Sequence, residues 1–363
     1  MKMVISNIVV MNAGDAAILL AMKAMFREVF GAGLEITVFD KNPAYASSRY
    51  PGIRFRESLY FQVTDNPRWL SRIPTATGRV VGRTLYERAM LLLARIAIWK
   101  VQLWGGRVPR LLMSEGARDG LQQYAEADLV VSAGGTYLVE QYSLAPRLFD
   151  YEVTHALGKP LYFFTQSMGP FRARGNRRRL RKALDGARMV FLRDEDSRRN
   201  VEDLGPVGCT LIQSADAAFG LADAREITLG CRRGASGSRG LRVGVSVREW
   251  GHFATVSHAE GMERYRSGLA GAIERLVTGH DARALFVSTC QGVPEPYPDD
   301  STVAAEIVQR IPEGARSGTE LLNGFLAPPA IRKVLRDCDF VIATRMHMAI
   351  LALSVGTPVL PIA

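Results

Sequence analysis

Two residues near the end of the chain, Arg345 and His347, have the types and spacing to bind an anion and move a proton. They fall in a turn between an apolar strand, Phe340 to Ala343, and a short helix, Met348 to Ser354, which Gly356 stops before another apolar strand. In an open parallel sheet, ligands bind at the carboxyl ends of strands. The free N–H groups at a helix start add partial positive charge there. A guanidinium and an imidazole at such a corner suit a small anion that must also exchange a proton. The competing structural reading pairs Arg345 with a carboxylate such as Asp337 and lets His347 cap the helix. Arg248 closes another apolar strand, Leu241 to Val247, and adds a second strand-end cation to the same site.

The opening of the chain offers a second set. Val4 to Met11 is a continuously apolar, β-branched run, as expected of a strand covered on both faces. Asn12-Ala-Gly-Asp15 follows, then a helical pattern from Ala16 to Phe30. Gly14 would let a substrate approach the backbone, and Asn12 or Asp15 would bind hydroxyls. The plain alternative is a helix start with Asp15 as its N-cap. The turn lacks G-x-G-x-x-G, so it does not read as a dinucleotide site. The same logic recurs downstream. Gly134 and Gly135 follow the strand around Val130, Arg193 and Asp194 follow Met189 to Leu192, and Asp216 follows Cys209 to Gln213.

The elements that must position these residues alternate strand and helix in two blocks. The predicted fold is α/β, with two doubly wound Rossmann-like domains facing a cleft. The expected boundaries are 1–222 for the N-terminal, acceptor-side domain, 223–240 for a Gly/Ser-rich linker, and 241–363 for the C-terminal, donor-side domain. Lys41 to Gly78 reads as loop. Thr84 to Leu103 reads as a basic amphipathic helix that could lie on a membrane, but its apolar content favours the core. Arg172 to Lys182 is the densest basic cluster and could grip a pyrophosphate or anionic headgroups, or be a solvated face.

Composition limits the partners. Lys and Arg number 46 against 36 Asp and Glu, so the formal charge is +10 and anionic partners are favoured. Basic clusters without interleaved aromatics do not suggest nucleic acid. Cys209, Cys231, Cys290 and Cys338 lack C-x-x-C spacing and read as free thiols, and no metal-ligand cluster is visible. No signal peptide and no run of about 18 apolar residues is evident. The expected location is cytoplasmic, with peripheral contact at the inner membrane surface. The chain stops inside an apparent strand, Pro358 to Ala363, so a truncated C-terminal end is expected.

The ordered set Asn12-x-Gly14-Asp15, Ser132-Ala-Gly-Gly135, Gln166-Ser-x-Gly-Pro170, Arg193-Asp194-x-x-Ser197, Ser214-x-Asp216, the strand ending in Arg248, and Thr344-Arg-Met-His347 resembles the polysaccharide pyruvyl transferase family. The resemblance implies a GT-B-like fold and transfer of the pyruvyl unit of phosphoenolpyruvate to a sugar or lipid-linked glycan. It places Arg345 and His347 on the family's Arg-x-His pair for phosphoenolpyruvate, with Arg248 as the other donor arginine. His347 is then the expected general acid, and Asp15 or Asp216 the base or sugar-orienting carboxylate. Asn12, Gly14, Gly134, Gly135 and Arg193 complete the expected substrate-binding set, and no cofactor beyond the donor is implied. The alternatives are a GT-B-like glycosyltransferase using a nucleotide sugar and a non-catalytic binding protein that keeps the cleft.

Overall fold

The computed structural model describes residues 1–65, 76–109, 113–223, 227, 240–251, 253–290, 299–322 and 324–362. They form two compact units, Met1–Val9 with Met22–Ala217, and Val10–Ala21 with Ala218–Ala363. The grouping differs from the expected one in two places. Residues 10–21 belong with the second unit, and the change of unit falls at Ala217/Ala218. The expected linker lies outside the described residues apart from Asp223, Ile227 and Gly240.

The elements of the first block are β1 (Lys2–Ile8), α1 (Ala13–Phe30), β2 (Glu35–Asp40), α2 (Pro43–Arg49), β3 (Arg54–Glu57), α3 (Leu59–Thr64), α4 (Ala76–Trp104), α5 (Glu115–Glu126), β4 (Leu129–Ser132), β5 (Gly135–Leu138), α6 (Ala145–Ala156), β6 (Leu161–Met168), α7 (Arg174–Asp185), β7 (Met189–Leu192), α8 (Glu195–Glu202) and β8 (Thr210–Gln213). Their sheet runs β3-β2-β1-β4-β6-β7-β8, with β5 beside β6. Every pairing is parallel. Strand order reverses between β1 and β4, which makes a switch point. Val4, Phe39, Val130, Phe163 and Val190 are buried in one core with the flanking helices.

The second block holds β9 (Arg242–Ser246), α9 (His258–His280), β10 (Arg283–Val287), α10 (Asp300–Arg310), α11 (Glu313–Arg316), β11 (Thr319–Leu322), α12 (Pro328–Arg336), β12 (Phe340–Ala343), α13 (Met346–Leu353) and β13 (Val359–Pro361). The all-parallel order β11-β10-β9-β12-β13 reverses between β9 and β12. Val243, Val245, Phe286 and Ile342 form its core with α9 and α10. Apolar runs without alternation thus became strands covered on both faces, as their pattern requires.

Two expectations fail here. The stretch read as loop contains α2, β3 and α3. Pro43 at the first helical position and the Asn42 side chain, which accepts from Tyr45 N at 3.3 Å, start α2 locally, and a period reading misses so short an element. The apolar helix α4 is not core throughout. Met90, Ala94, Ala97 and Ile98 are buried, but Leu85, Leu92, Trp99 and Leu103 are each more than half exposed.

A buried polar network joins strand ends in the first unit. Asn7 Nδ2 donates to Tyr151 Oη at 3.0 Å and to Ser132 Oγ at 3.3 Å, and Gln166 Nε2 donates to the same Ser132 oxygen at 3.3 Å. Next to Tyr151 on α6 sits Asp150, fully buried. Burial pushes its carboxyl up to about 8, tempered by Tyr124 and by the charge of Arg147. The unfolded carboxyl titrates near about 3.9. Between those values the folded chain holds a proton that the unfolded chain has lost, so this group lowers stability as pH rises towards 8. Asp150→Asn should therefore flatten the fall in melting temperature between about pH 5 and about pH 8. At about 1.4 kcal/mol per pKa unit the upper bound on the difference is on the order of 5 kcal/mol. Thermal unfolding at the two pH values checks this; an unchanged slope in the variant would refute the burial argument.

Candidate active site

The strand ends of the second unit carry the candidate anion site. β12 ends at Ala343, and Thr344 turns the chain by donating from both N (3.1 Å) and Oγ1 (2.9 Å) to Ser246 O at the end of β9. Arg345 is then the extended N-cap residue of α13, and no side chain caps that helix. His347 is the second residue of α13 and not its N-cap, contrary to the structural alternative raised by the sequence. Arg345 is not bound to Asp337 either. Its Nε donates to Asp300 Oδ2 at 3.0 Å and its Nη2 to Oδ1, a bidentate fork. The Asp300 side chain is 0 % exposed and that of Arg345 17 %.

Asp300 is placed by the start of α10. Asp299 is the N-cap, its carboxylate accepting from Ser301 N at 2.8 Å, and Asp300 N donates to Cys290 O at 3.0 Å. Burial pushes the Asp300 carboxyl above the ordinary carboxylate range; the hydrogen bonds and charge of Arg345, and then the charge of Arg248, pull it back. In the sequence Asp299 and Asp300 stand together at the end of a Pro-rich stretch, with nothing local to name their partners. The signal was their position just before a helix, where one caps and the other points inward.

Arg248 leaves the end of β9. Its Nε donates to Glu249 O at 3.2 Å and its guanidinium lies 5.1 Å from the centre of the Trp250 ring. Tyr265 of α9 links the two strand ends: its hydroxyl accepts from Arg248 N at 3.4 Å and donates to Thr344 Oγ1 at 3.2 Å. Both arginines thus flank the β9/β12 switch point and both act electrostatically on Asp300.

The Asn12 turn belongs to this same unit. Ala13 N donates to Thr289 O at 2.8 Å, and Asn12 bridges to Cys290 at the end of β10. Asn12, not Asp15, caps α1. Its Oδ1 accepts from Gly14 N at 2.8 Å and its carbonyl from Ala16 N at 3.0 Å. Asp15 is buried in the first turn behind it. A Cβ on Gly14 would lie 2.4 Å from His347 Cγ and Nδ1, so the glycine is there to seat the imidazole. The Cys290 thiol is pushed up to about 11 by burial first, then raised by the charge of Asp300, lowered by Arg345 and raised by Asp15. The charges of Asp300, Arg345 and Asp15 all reach this thiol, whose backbone carbonyl accepts from Asp300 N and whose residue bridges to Asn12.

The remaining predicted residues lie in the first unit and form a closed network. Arg193 Nε donates to Ser167 Oγ at 2.7 Å, its Nη1 to Asp216 Oδ2 at 2.5 Å, and its Nη2 to Thr136. The Arg193 and Asp216 side chains are each 6 % exposed. Asp194 caps α8, Oδ1 accepting from Ser197 N at 2.7 Å. Gly134 packs where a Cβ would meet Thr165 Oγ1 at 2.4 Å, and Gly135 takes φ +136° against the Tyr137 ring. These contacts account for both glycines by packing. They leave the Asp216 carboxylate neutralised by Arg193, which suits a positioning group better than a base.

Comparison with known proteins adds family and fold. The family model described as "Polysaccharide pyruvyl transferase" matches residues 12–363. The amylovoran biosynthesis protein AmsJ of Erwinia amylovora is 26% identical over 332 residues, 84% of this chain and 77% of that protein. In structure the chain is similar to a putative UDP-N-acetylglucosamine 2-epimerase from Listeria monocytogenes, with a TM-score of 0.52 and 12% identity over 99% of this chain and 78% of that one. It is also similar to Anabaena HepE in complex with UDP-glucose, with a TM-score of 0.51 and 13% identity over 99% of this chain and 80% of that one. At these identities the likeness concerns the fold, which is α/β, two-domain and GT-B-like.

The contact between Gly14 and His347 is testable by a double-mutant cycle. Gly14→Ala alone should destabilise the protein by about 1–3 kcal/mol through overpacking. In a His347→Ala background the same change should cost well under half of that, because the obstructing ring is gone. Additive effects in denaturant unfolding would show that the two residues do not touch.

Proposed function

The chain belongs to the polysaccharide pyruvyl transferase family, and on that premise we propose that it moves the pyruvyl unit of phosphoenolpyruvate onto a sugar of a cell-surface polysaccharide or its carrier-linked precursor. The product is a pyruvate ketal and the leaving group is phosphate. The observation that carries the reading is the convergence of Arg248, Arg345 and His347 on the β9/β12 switch point. Phosphoenolpyruvate offers a carboxylate and a phosphate, and guanidinium forks match both shapes. Arg345 uses Nε and Nη2 on Asp300 and turns Nη1 to the donor. Arg248, held by the Trp250 face, supplies the second cation. The similarity to an amylovoran biosynthesis protein supports a biosynthetic role.

In this reading His347 protonates the donor's methylene carbon as general acid. A sugar hydroxyl then attacks the adjacent carbon and loses its proton to a base. A second hydroxyl of the same sugar forms the second C–O bond to that carbon as the C–O bond to phosphate breaks, and its proton leaves with the phosphate, closing the ring. Asp15 is the base or sugar-orienting carboxylate, because it shares the unit of His347 and its charge reaches Cys290. Asp300 touches no substrate; it fixes the direction of the Arg345 fork.

A thermal-shift titration with phosphoenolpyruvate tests the donor. Binding to the folded state raises the melting temperature, and a ligand at about a hundred times its Kd adds about 2.7 kcal/mol. Arg345→Ala alone would strand the buried Asp300 charge at a cost of about 3–5 kcal/mol. The informative variant is therefore Arg345→Ala with Asp300→Asn, which should abolish the shift. His347→Ala should keep part of the shift and lose roughly 10²–10⁴ in kcat. A folded protein that ignores phosphoenolpyruvate and is stabilised by a nucleotide sugar would instead be a glycosyltransferase.

A further inference from the structure

Helix α4 presents an apolar seam to solvent. Leu85, Leu92 and Trp99 recur every seven residues, with Ile96 and Leu103 each four residues after one of them, so all five lie on one stripe. Leu85 is 61%, Leu92 56%, Trp99 54% and Leu103 54% exposed. The opposite face is used for packing: Met90, Ala94, Ala97 and Ile98 are buried in the core of the first unit. At the end of the helix Trp99 and Trp104 set their rings 6.2 Å apart, both more than half exposed.

The charges beside this seam are mostly positive. Exposed Arg88 and Arg95 flank it on α4. Across α6, a groove of about 650 Å³ runs from Arg95 and Ile98 to Arg178, Arg179 and Lys182 of α7. Glu152 on the groove floor accepts from both Arg95 (3.2 Å) and Arg179 (2.7 Å), so one carboxylate serves two guanidiniums. Arg174, Arg178 and Lys182 follow each other at four-residue spacing on the exposed side of α7 and have no ion pair among the described residues. The one acid of α4, Glu87, takes the Tyr60 hydroxyl.

We infer that the α4 seam and the α7 basic face together dock the enzyme on an anionic lipid bilayer. Charge decides between the occupants. A second copy of the chain would set cationic flank against cationic flank, whereas phosphate-bearing headgroups complement them. The paired tryptophans suit the water–lipid boundary, where one edge is apolar and the other wet. Among the described residues no helix is long and apolar enough to cross a membrane, so α4 lies in the interface plane, with its seam about 5–10 Å into the headgroup and acyl boundary. Arg95 of α4 and Arg179 of α7 share the Glu152 carboxylate, so the α7 basic face lies beside the seam and reaches the headgroups with it. The inference is independent of which donor the enzyme uses.

Co-sedimentation of the full chain with vesicles tests it. Phosphatidylcholine vesicles carrying about a third phosphatidylglycerol should retain the protein, phosphatidylcholine alone should not, and raising salt from about 0.05 M to about 0.5 M should release it. Leu85→Ser with Leu92→Ser and Trp99→Ser should lower retention at least about tenfold, and so should Arg178→Glu with Lys182→Glu, which touches only exposed side chains. Thermal unfolding verifies that each variant is folded. Failure to bind anionic vesicles, equal retention on neutral ones, or retention by the charge-reversed variant overturns the inference. So does specific release by inorganic phosphate at constant ionic strength, which marks a free-phosphate pocket. A dimer in sedimentation velocity that the triple variant dissolves does the same, because it makes the seam a contact between copies.

Discussion

The second unit depends on one buried ion pair. Arg345 and Asp300 come from the ends of different strand–helix connections, and each would be costly where it sits without the other. A buried pair of this kind adds little net stability compared with apolar packing, so its value lies in orientation. The two-point fork on Asp300 fixes the plane of the guanidinium and leaves one edge aimed away from the carboxylate. The same residue is the first of α10, and its backbone N–H ties that helix to Cys290. The strand end, the helix start and the cation are thus one mechanical object. Loosening any part would let the others drift by the fractions of an ångström that matter for anchoring a small anion.

Around that pair the other strand ends are locked by short polar links between largely buried groups. Thr344 bonds Ser246, Tyr265 spans from Arg248 to Thr344, and the Asn12 turn attaches to Thr289 and Cys290. The imidazole of His347 rests on the bare Cα of Gly14. The first unit uses the same residue types differently. Arg193 and Asp216 are equally buried and satisfy each other, with Ser167 and Thr136 filling the rest of the guanidinium. An arginine with each of its three nitrogens engaged is a structural clamp. Arg345 commits two of its nitrogens to Asp300 among the described residues.

The surface divides labour in a similar way. Half of α4 is core and half is an exposed apolar stripe, although both halves have much the same composition. The difference comes from what packs on the helix. α3, α5 and α6 cover one side, and the side bordered by Arg88 and Arg95 stays open.

Much of this was legible in the residues. Continuous apolar runs fixed the strands as buried and parallel, because a one-sided sheet would have shown alternation. The positions of Arg248, Arg345 and His347 followed from where those runs stop. The ordered short motifs pointed to the family. What only the tertiary structure decided is which partner each polar group takes. Asp300 lies 45 residues from Arg345, and nothing local distinguishes it from Asp337 as a partner. Gly14 looked like an opening for substrate, and a close approach from a helix more than three hundred residues away made it a seat for His347. Asp216 looked like a base until Arg193 neutralised it. Periodicity reports which face of an element is buried, since burial acts through local pattern. Pairing of charges and the fit of a ring on a glycine depend on the register of distant strands and on helix placement, which no local pattern encodes.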